Sequence, residues 1–176
     1  MSAATWLESV PPFAAYALAA LILAAEGLTL AGMFVPGTAT VLALGHLSAS
    51  GVVQPVCAVI CAATAAMLGD TLGFAAGRRA RTRNGVPARL ARLQARLPGR
   101  LSRTPSAPAL LATRWFTGPR TLVPRLVGLG PTTYLRFAGW AAPAAVAWAL
   151  GLVLTGRWIG TGLTAALTEL PNRVPW

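Results

Sequence analysis

The chain has 176 residues, of which 55% are hydrophobic and only 11% are charged, and its mean hydropathy is +0.61. A soluble domain carries about 25% charged residues, so this composition argues against a soluble protein and for one domain built largely for lipid. The net charge of +11 could indicate a nucleic-acid partner, but the arginines flank apolar segments, which favours a membrane surface and no nucleic acid.

The first half, residues 13–77, is predicted to hold a short apolar helix, a broken segment and a span. The apolar run of residues 13–25 is shorter than the roughly 20 residues that a membrane span needs. The segment 27–49 is also apolar, but Pro36, Gly37 and Thr38 interrupt it near the middle. Such a sequence predicts a re-entrant helix that enters the membrane, breaks and turns back. Residues 52–77 are long enough to cross once.

The basic segment 78–106 separates the halves. Its first 26 residues hold nine arginines and no acidic residue, so the positive-inside rule places it in the cytoplasm. Residues 88–97 place their leucines on one stripe of a helix and their arginines on the next, a pattern that favours an amphipathic surface helix, with a solvated linker as the alternative.

The second half, residues 107–156, repeats the layout of the first. Segment 107–130 is apolar and interrupted by Gly118, Pro119 and Pro124, and residues 137–156 are twenty uncharged residues that form a second span. A tail, 157–176, follows. The expected fold is therefore all-α, a single polytopic membrane domain over 1–176 with two re-entrant hairpins in an inverted repeat. Transporters often place their binding sites where two broken helices meet.

Two of the four acidic residues, Glu26 and Asp70, lie in segments expected at membrane depth. A charge at the centre of a bilayer costs about 2.5–3.5 kcal/mol, so such a residue usually faces a partner or a cavity. Arg114 and Arg120 flank the second break and are the natural partners. The four charges could simply neutralise one another and fix the fold. Alternatively, the arginines bind a phosphate in bidentate fashion while the carboxylates exchange protons.

Other polar side chains offer little chemistry. Cys57 and Cys61 lie four residues apart in an apolar run without further metal ligands, and the single histidine, His46, fits a structural role. No metal site or cofactor is expected. A membrane enzyme such as a lipid phosphatase would need a nucleophile or metal set that the sequence does not offer.

Several motifs together resemble the DedA family of bacterial membrane proteins, which share a domain with eukaryotic lipid scramblases of the VTT type. The resemblance covers residues 14–156. Its pieces are Glu26-Gly27 before Phe34-Val35-Pro36-Gly37, then Gly69-Asp70 with Phe74 and Gly77-Arg78, and finally Arg114 with Arg120-Thr121, Pro124 and Val127-Gly128.

The resemblance implies a multi-pass protein of the bacterial cytoplasmic membrane that moves undecaprenyl phosphate or phospholipids, with dependence on the proton gradient. It implies Arg114 and Arg120 as the phosphate-binding residues and Glu26, supported by Asp70, in proton coupling. Family members often carry an acidic residue after Pro-Gly, where this chain has Thr38. That departure leaves open a proton-independent scramblase, and a small-ion or solute exporter is a further alternative. Lipids and protons are the expected partners, with a homo-oligomer possible.

Overall fold

The computed structural model describes residues 11–28, 37–83 and 117–169, together with residues 92, 112 and 114. For residues 27–28, 83, 117–120 and 163–169 it describes the backbone alone. Within these ranges the chain is all-helical, as predicted. The helices are α1 (Pro12–Leu28), α2 (Gly37–Ala49), α3 (Pro55–Arg83), α4 (Thr117–Leu129) and α5 (Tyr134–Glu169).

Two helices are long and apolar enough to cross a membrane. They are α3, over Pro55–Thr82, and α5, over Tyr134–Gly162. The first covers all but residues 52–54 of the predicted span 52–77, and the second contains the whole predicted span 137–156. Helix α1 is apolar but shorter. Large apolar side chains such as Leu21, Leu135 and Trp158 are mostly exposed. Water would disfavour such a surface, whereas lipid would cover it, so the chain has the features of a membrane protein.

The observed helix boundaries correct several of the expected ones. Helix α1 continues through Glu26 to Leu28, and α3 extends six residues beyond Gly77 into the arginine-rich segment. Arginine is a good helix former and can extend its charged head away from lipid, so a helix need not end where the charges begin. Helix α5 runs to Glu169, so residues 157–169 are helix rather than tail.

The prolines of the second broken segment do not act as predicted. Pro124 was expected to interrupt the chain, but α4 continues through it. Gly118 and Pro119 lie in the first turn of α4, where a proline is tolerated because its missing N–H would have no helical partner. Pro36 lies outside the described residues, and Gly37 and Thr38 begin α2.

The two 13-residue helices, α2 and α4, each pack most extensively against the long helix of the other half: α2 lies along α5, and α4 lies along α3. Small residues permit both contacts. A Cβ atom at Gly156 would lie 3.1 Å from the Cα atom of Gly45, and one at Gly128 would lie 3.0 Å from the carbonyl carbon of Phe74. Close approach of this kind through glycine is a common way for membrane helices to associate.

Arginines on the long helices bind the carboxyl ends of the short helices. Arg81 donates to the Gly130 carbonyl at 2.9 Å and Arg78 to the Thr132 carbonyl at 3.0 Å, just beyond the end of α4. Arg157 donates to the Ser48 carbonyl in the last turn of α2 at 2.9 Å. The last carbonyls of a helix have no partner within it, and a cation there also complements the helix dipole.

The start of α1 lies close to the turn that ends α2. The Tyr16 hydroxyl, near the start of α1, accepts a hydrogen bond from the Gln54 N–H at 2.8 Å and donates to the Gln54 carbonyl at 3.3 Å. Gln54 directly precedes α3 and follows the turn that ends α2. In that turn, Gly51 has φ 79° and Val52 N–H donates to the Leu47 carbonyl at 3.1 Å, a Schellman-type ending.

Candidate functional site

Asp70 lies at the middle of the long helix α3. It is about 22 Å from the start of the helix and about 20 Å from its end, at 1.5 Å per residue. A helix of this length is long enough to cross the hydrocarbon core of a bilayer, which is about 30 Å thick. Asp70 is nevertheless only 8% exposed. A carboxylate at this position needs a partner, because burial without one is costly.

That partner is Arg114. Its Nη2 atom donates to Asp70 Oδ2 in a buried ion pair, with Arg114 only 4% exposed. The sequence suggested this pairing. Among the residues that the structure describes, Arg114 Nη1 has no hydrogen-bond partner. A buried guanidinium that donates one hydrogen bond to a carboxylate and has another nitrogen without a hydrogen-bond partner can still donate to a further acceptor.

A small cavity brings Asp70 and Glu26 together. It is lined by Leu23, Glu26, Ala66, Gly69, Asp70, Thr121 and Pro124. The space open to the centre of a water molecule is about 10 Å³, which is room for about one water. Glu26, from α1, is 1% exposed, and Thr121, from α4, is 6% exposed. Three polar side chains from three helices therefore border one cavity.

Glu26 is held at the start of α2. A Cβ atom at Gly37, the first residue of that helix, would lie 2.9 Å from Glu26 Cδ, so the carboxylate fits only because Gly37 has no side chain. The first N–H groups of a helix lack helical partners and carry partial positive charge, which stabilises a carboxylate beside them. Gly37 therefore has a packing role beside the carboxylate in addition to its predicted place at the break.

Arg120, the second predicted phosphate-binding residue, lies in the first turn of α4, but its side chain is outside the described residues. Thr121, which belongs to the Arg120-Thr121 motif of the sequence, lines the cavity. Arg125, also from the second broken segment, is buried in α4 at 8% exposure, and its carbonyl group packs against Gly77 of α3. Thr121 is uncharged and lies in an arginine-rich segment, so the sequence alone gave no reason to select it as a site residue.

No family model, no curated protein and no solved structure matches this chain. The chemistry of the cavity and the motifs of the sequence are therefore what indicate a function. Among the described residues, no cluster of three or more histidine, cysteine or acidic side chains could hold a metal ion. What lines the cavity instead is two carboxylates and a hydroxyl group, and one of the carboxylates, that of Asp70, is paired with Arg114.

Proposed function

We propose that this chain is a DedA-like transporter that moves an anionic lipid carrier, a polyprenyl phosphate, across the bacterial cytoplasmic membrane. The observation that carries the proposal is the buried Arg114–Asp70 ion pair beside a cavity that also holds Glu26. Buried charges at mid-depth of a membrane protein usually mark a path for ions or polar groups. The motifs shared with the DedA family point to the same residues.

The packing of the helices supports the inverted repeat that such a transporter would have. Helix α2 packs on α5 and α4 packs on α3, so the 13-residue helix of each half lies against the long helix of the other half. The start of α1 lies close to Gln54, which follows the turn that ends α2. We infer that α1 and α2 form a re-entrant hairpin and that the segment preceding α4 belongs to its counterpart. Broken helices that face each other near the midplane are how many transporters build their sites.

In this mechanism the lipid phosphate binds at Arg114 and Arg120 while its hydrocarbon tail stays in the bilayer. Phosphate competes with Asp70 for the guanidinium of Arg114, because both are anionic acceptors of the same donors. A carboxylate released from its arginine in a dry site binds a proton more readily. Glu26 and Asp70 are therefore the groups through which phosphate binding is linked to protonation.

A second candidate is a lipid scramblase that does not use the proton gradient. Thr38 favours it, since Thr38 stands where DedA proteins often have an acidic residue. The acidic side chains that line the cavity are Glu26 and Asp70, and Asp70 is already paired with Arg114. If transport is coupled to protons, the coupling would therefore depend on Glu26.

The test is translocation of polyprenyl phosphate in proteoliposomes, with and without an imposed pH gradient. Wild type is compared with Arg120→Ala, with Glu26→Gln, and with Arg136→Ala as a control, because Arg136 is an exposed arginine on α5 away from the cavity. Stimulation by the gradient that is lost in Glu26→Gln supports a coupled carrier. Transport that ignores the gradient but is lost in Arg120→Ala supports the scramblase. Absence of transport by folded wild-type protein would refute the proposed substrate.

A further inference from the structure

A second site lies away from the central cavity, where the end of α3 meets the start of α5. Here a groove of about 460 Å³ is lined by Thr71, Phe74, Ala75, Arg78, Arg79 and Tyr134. Its volume is within the range of ordinary ligand sites, about 300–1,000 Å³. None of these residues borders the central cavity.

The floor of the groove is aromatic and ordered. The ring centroid of Phe74 lies 5.8 Å from that of Tyr134, and the Tyr134 hydroxyl is 3.2 Å from the Thr71 hydroxyl. These contacts hold the first turn of α5 against α3. The exposed leucines beside the groove, Leu72 on α3 and Leu135 on α5, place it on a surface suited to acyl chains.

The rim of the groove is basic. Arg78 is fixed by its hydrogen bond to the Thr132 carbonyl and lies 6.0 Å from the centre of the Phe74 ring. Arg79 is exposed, and no hydrogen bond or ion pair of its guanidinium occurs among the described residues. Within the described part of the chain, Arg78 uses one of its five guanidinium N–H donors in a hydrogen bond and Arg79 uses none, so donors are available to a ligand.

Among the residues that the structure describes, no acidic side chain lines this groove. Two of the chain's four acidic residues, Glu26 and Asp70, are buried at the centre. Of the other two, Glu8 precedes α1 in the sequence, and Glu169 is the last residue of α5, whereas the groove lies at the start of α5. The arginine-rich segment begins at Arg78 itself. A basic pocket between membrane helices is a known type of binding site for lipid headgroups, and a lipid phosphate would supply the negative charge that the groove's lining lacks.

We propose that this groove binds one anionic phospholipid of the leaflet on the arginine-rich side, with its phosphate at Arg78 and Arg79 and an acyl chain against Phe74 and Tyr134. A soluble phosphate would use the arginines but leave the aromatic floor without a partner. A zwitterionic lipid would bring a cation toward two guanidinium groups. An anionic phospholipid matches both the charge of the rim and the apolar floor.

Native mass spectrometry of the full chain, released from detergent with added phosphatidylglycerol or phosphatidylcholine, tests this site. Wild type should retain one phosphatidylglycerol. Arg79→Ala should weaken that binding by about tenfold or more, the effect of losing a charge-assisted hydrogen bond. Arg136→Ala, which removes an exposed arginine from the same end of α5 without touching the groove, should retain the lipid.

Three outcomes would overturn the proposal. The first is an equal loss of lipid binding in Arg79→Ala and Arg136→Ala, which would indicate general charge attraction. The second is unchanged binding in Arg79→Ala. The third is retention of phosphatidylcholine as strong as that of phosphatidylglycerol. Because Arg79 is exposed and Arg78 makes the structural hydrogen bond, Arg79→Ala should fold, and thermal unfolding verifies this. The assay measures binding alone, so failure of lipid translocation in proteoliposomes does not affect its result.

Discussion

Gly45 and Gly156 lie against each other where α2 crosses α5, with no side chain between the two backbones. A Cβ atom at Gly45 would lie 2.9 Å from the Cα atom of Gly156 and 3.0 Å from the backbone nitrogen of Arg157. Neither neighbour can move without shifting a helix, because both are backbone atoms. One turn further along, Gly160 faces Ala49, so the contact continues through small residues on both helices.

We therefore expect Gly156→Ala to destabilise the protein strongly, since the added methyl group forces α2 and α5 apart. Overpacking of this kind typically costs about 1–3 kcal/mol. Gly139→Ala is the matched control, because Gly139 lies in the same helix and a Cβ atom there meets nothing within 4 Å. Thermal unfolding in detergent should show a lower midpoint for Gly156→Ala only. Equal midpoints for both variants would contradict the close contact.

The sequence predicted the helical class and both long apolar helices because apolar runs of this length have few alternatives in a membrane protein. It did not predict where α3 and α5 end, since arginines and glycines can continue a helix that packing supports. It was wrong about Pro124 for a related reason. Pro124 lies in a helix packed against α3, and contacts across that interface, such as that between Gly128 and Phe74, compensate for one missing hydrogen bond.

The Tyr16 hydroxyl group joins the start of α1 to the residue before α3, and its loss should be measurable. Tyr16→Phe removes hydrogen bonds to both the N–H and the carbonyl group of Gln54 while keeping the ring. We expect a loss of about 1 kcal/mol in stability. Tyr134→Phe is a suitable comparison because its hydroxyl makes one side-chain contact, with Thr71, and should cost less. An unfolding midpoint in Tyr16→Phe that equals wild type would show that these hydrogen bonds contribute nothing.

Arg114 and Asp70 should behave as one energetic unit. Replacing Asp70 with Asn, or Arg114 with Gln, leaves the other charge buried without its partner, which typically costs about 3–5 kcal/mol. The double variant removes both charges and should lose much less stability than the sum of the two single variants. Denaturant unfolding of all four proteins gives the coupling free energy.

Additive effects in this cycle would mean that the two residues do not stabilise each other. Transport by the double variant separates structure from function. If the pair only fixes the fold, a stable double variant should still move lipid. If Arg114 binds the phosphate, the same variant should be folded and inactive.

Part of the candidate site could be predicted from the sequence. A carboxylate in an apolar run is conspicuous, so Glu26 and Asp70 stood out, and arginines beside a break were their natural partners. The convergence of α1, α3 and α4 on one cavity could not be read from spacing, because it depends on how distant segments pack. Thr121 was not selected as a site residue for that reason, and the contact between Gly37 and Glu26 also became visible only in the structure.

The contact between Gly37 and Glu26 provides the most selective test of whether the position of the Glu26 carboxylate matters for transport. In Gly37→Ala the new Cβ atom would lie 2.9 Å from Glu26 Cδ and 3.0 Å from Leu23 Cδ2, so the carboxylate must leave its position at the start of α2. Both neighbours are ends of flexible side chains, and we expect the fold to persist. Lipid translocation in proteoliposomes should fall by about tenfold, corresponding to about 1.4 kcal/mol in the rate-limiting step. Ala39→Ser, an exposed change two residues further along α2, should transport normally. Normal transport by folded Gly37→Ala would show that the position of the Glu26 carboxylate does not matter for transport.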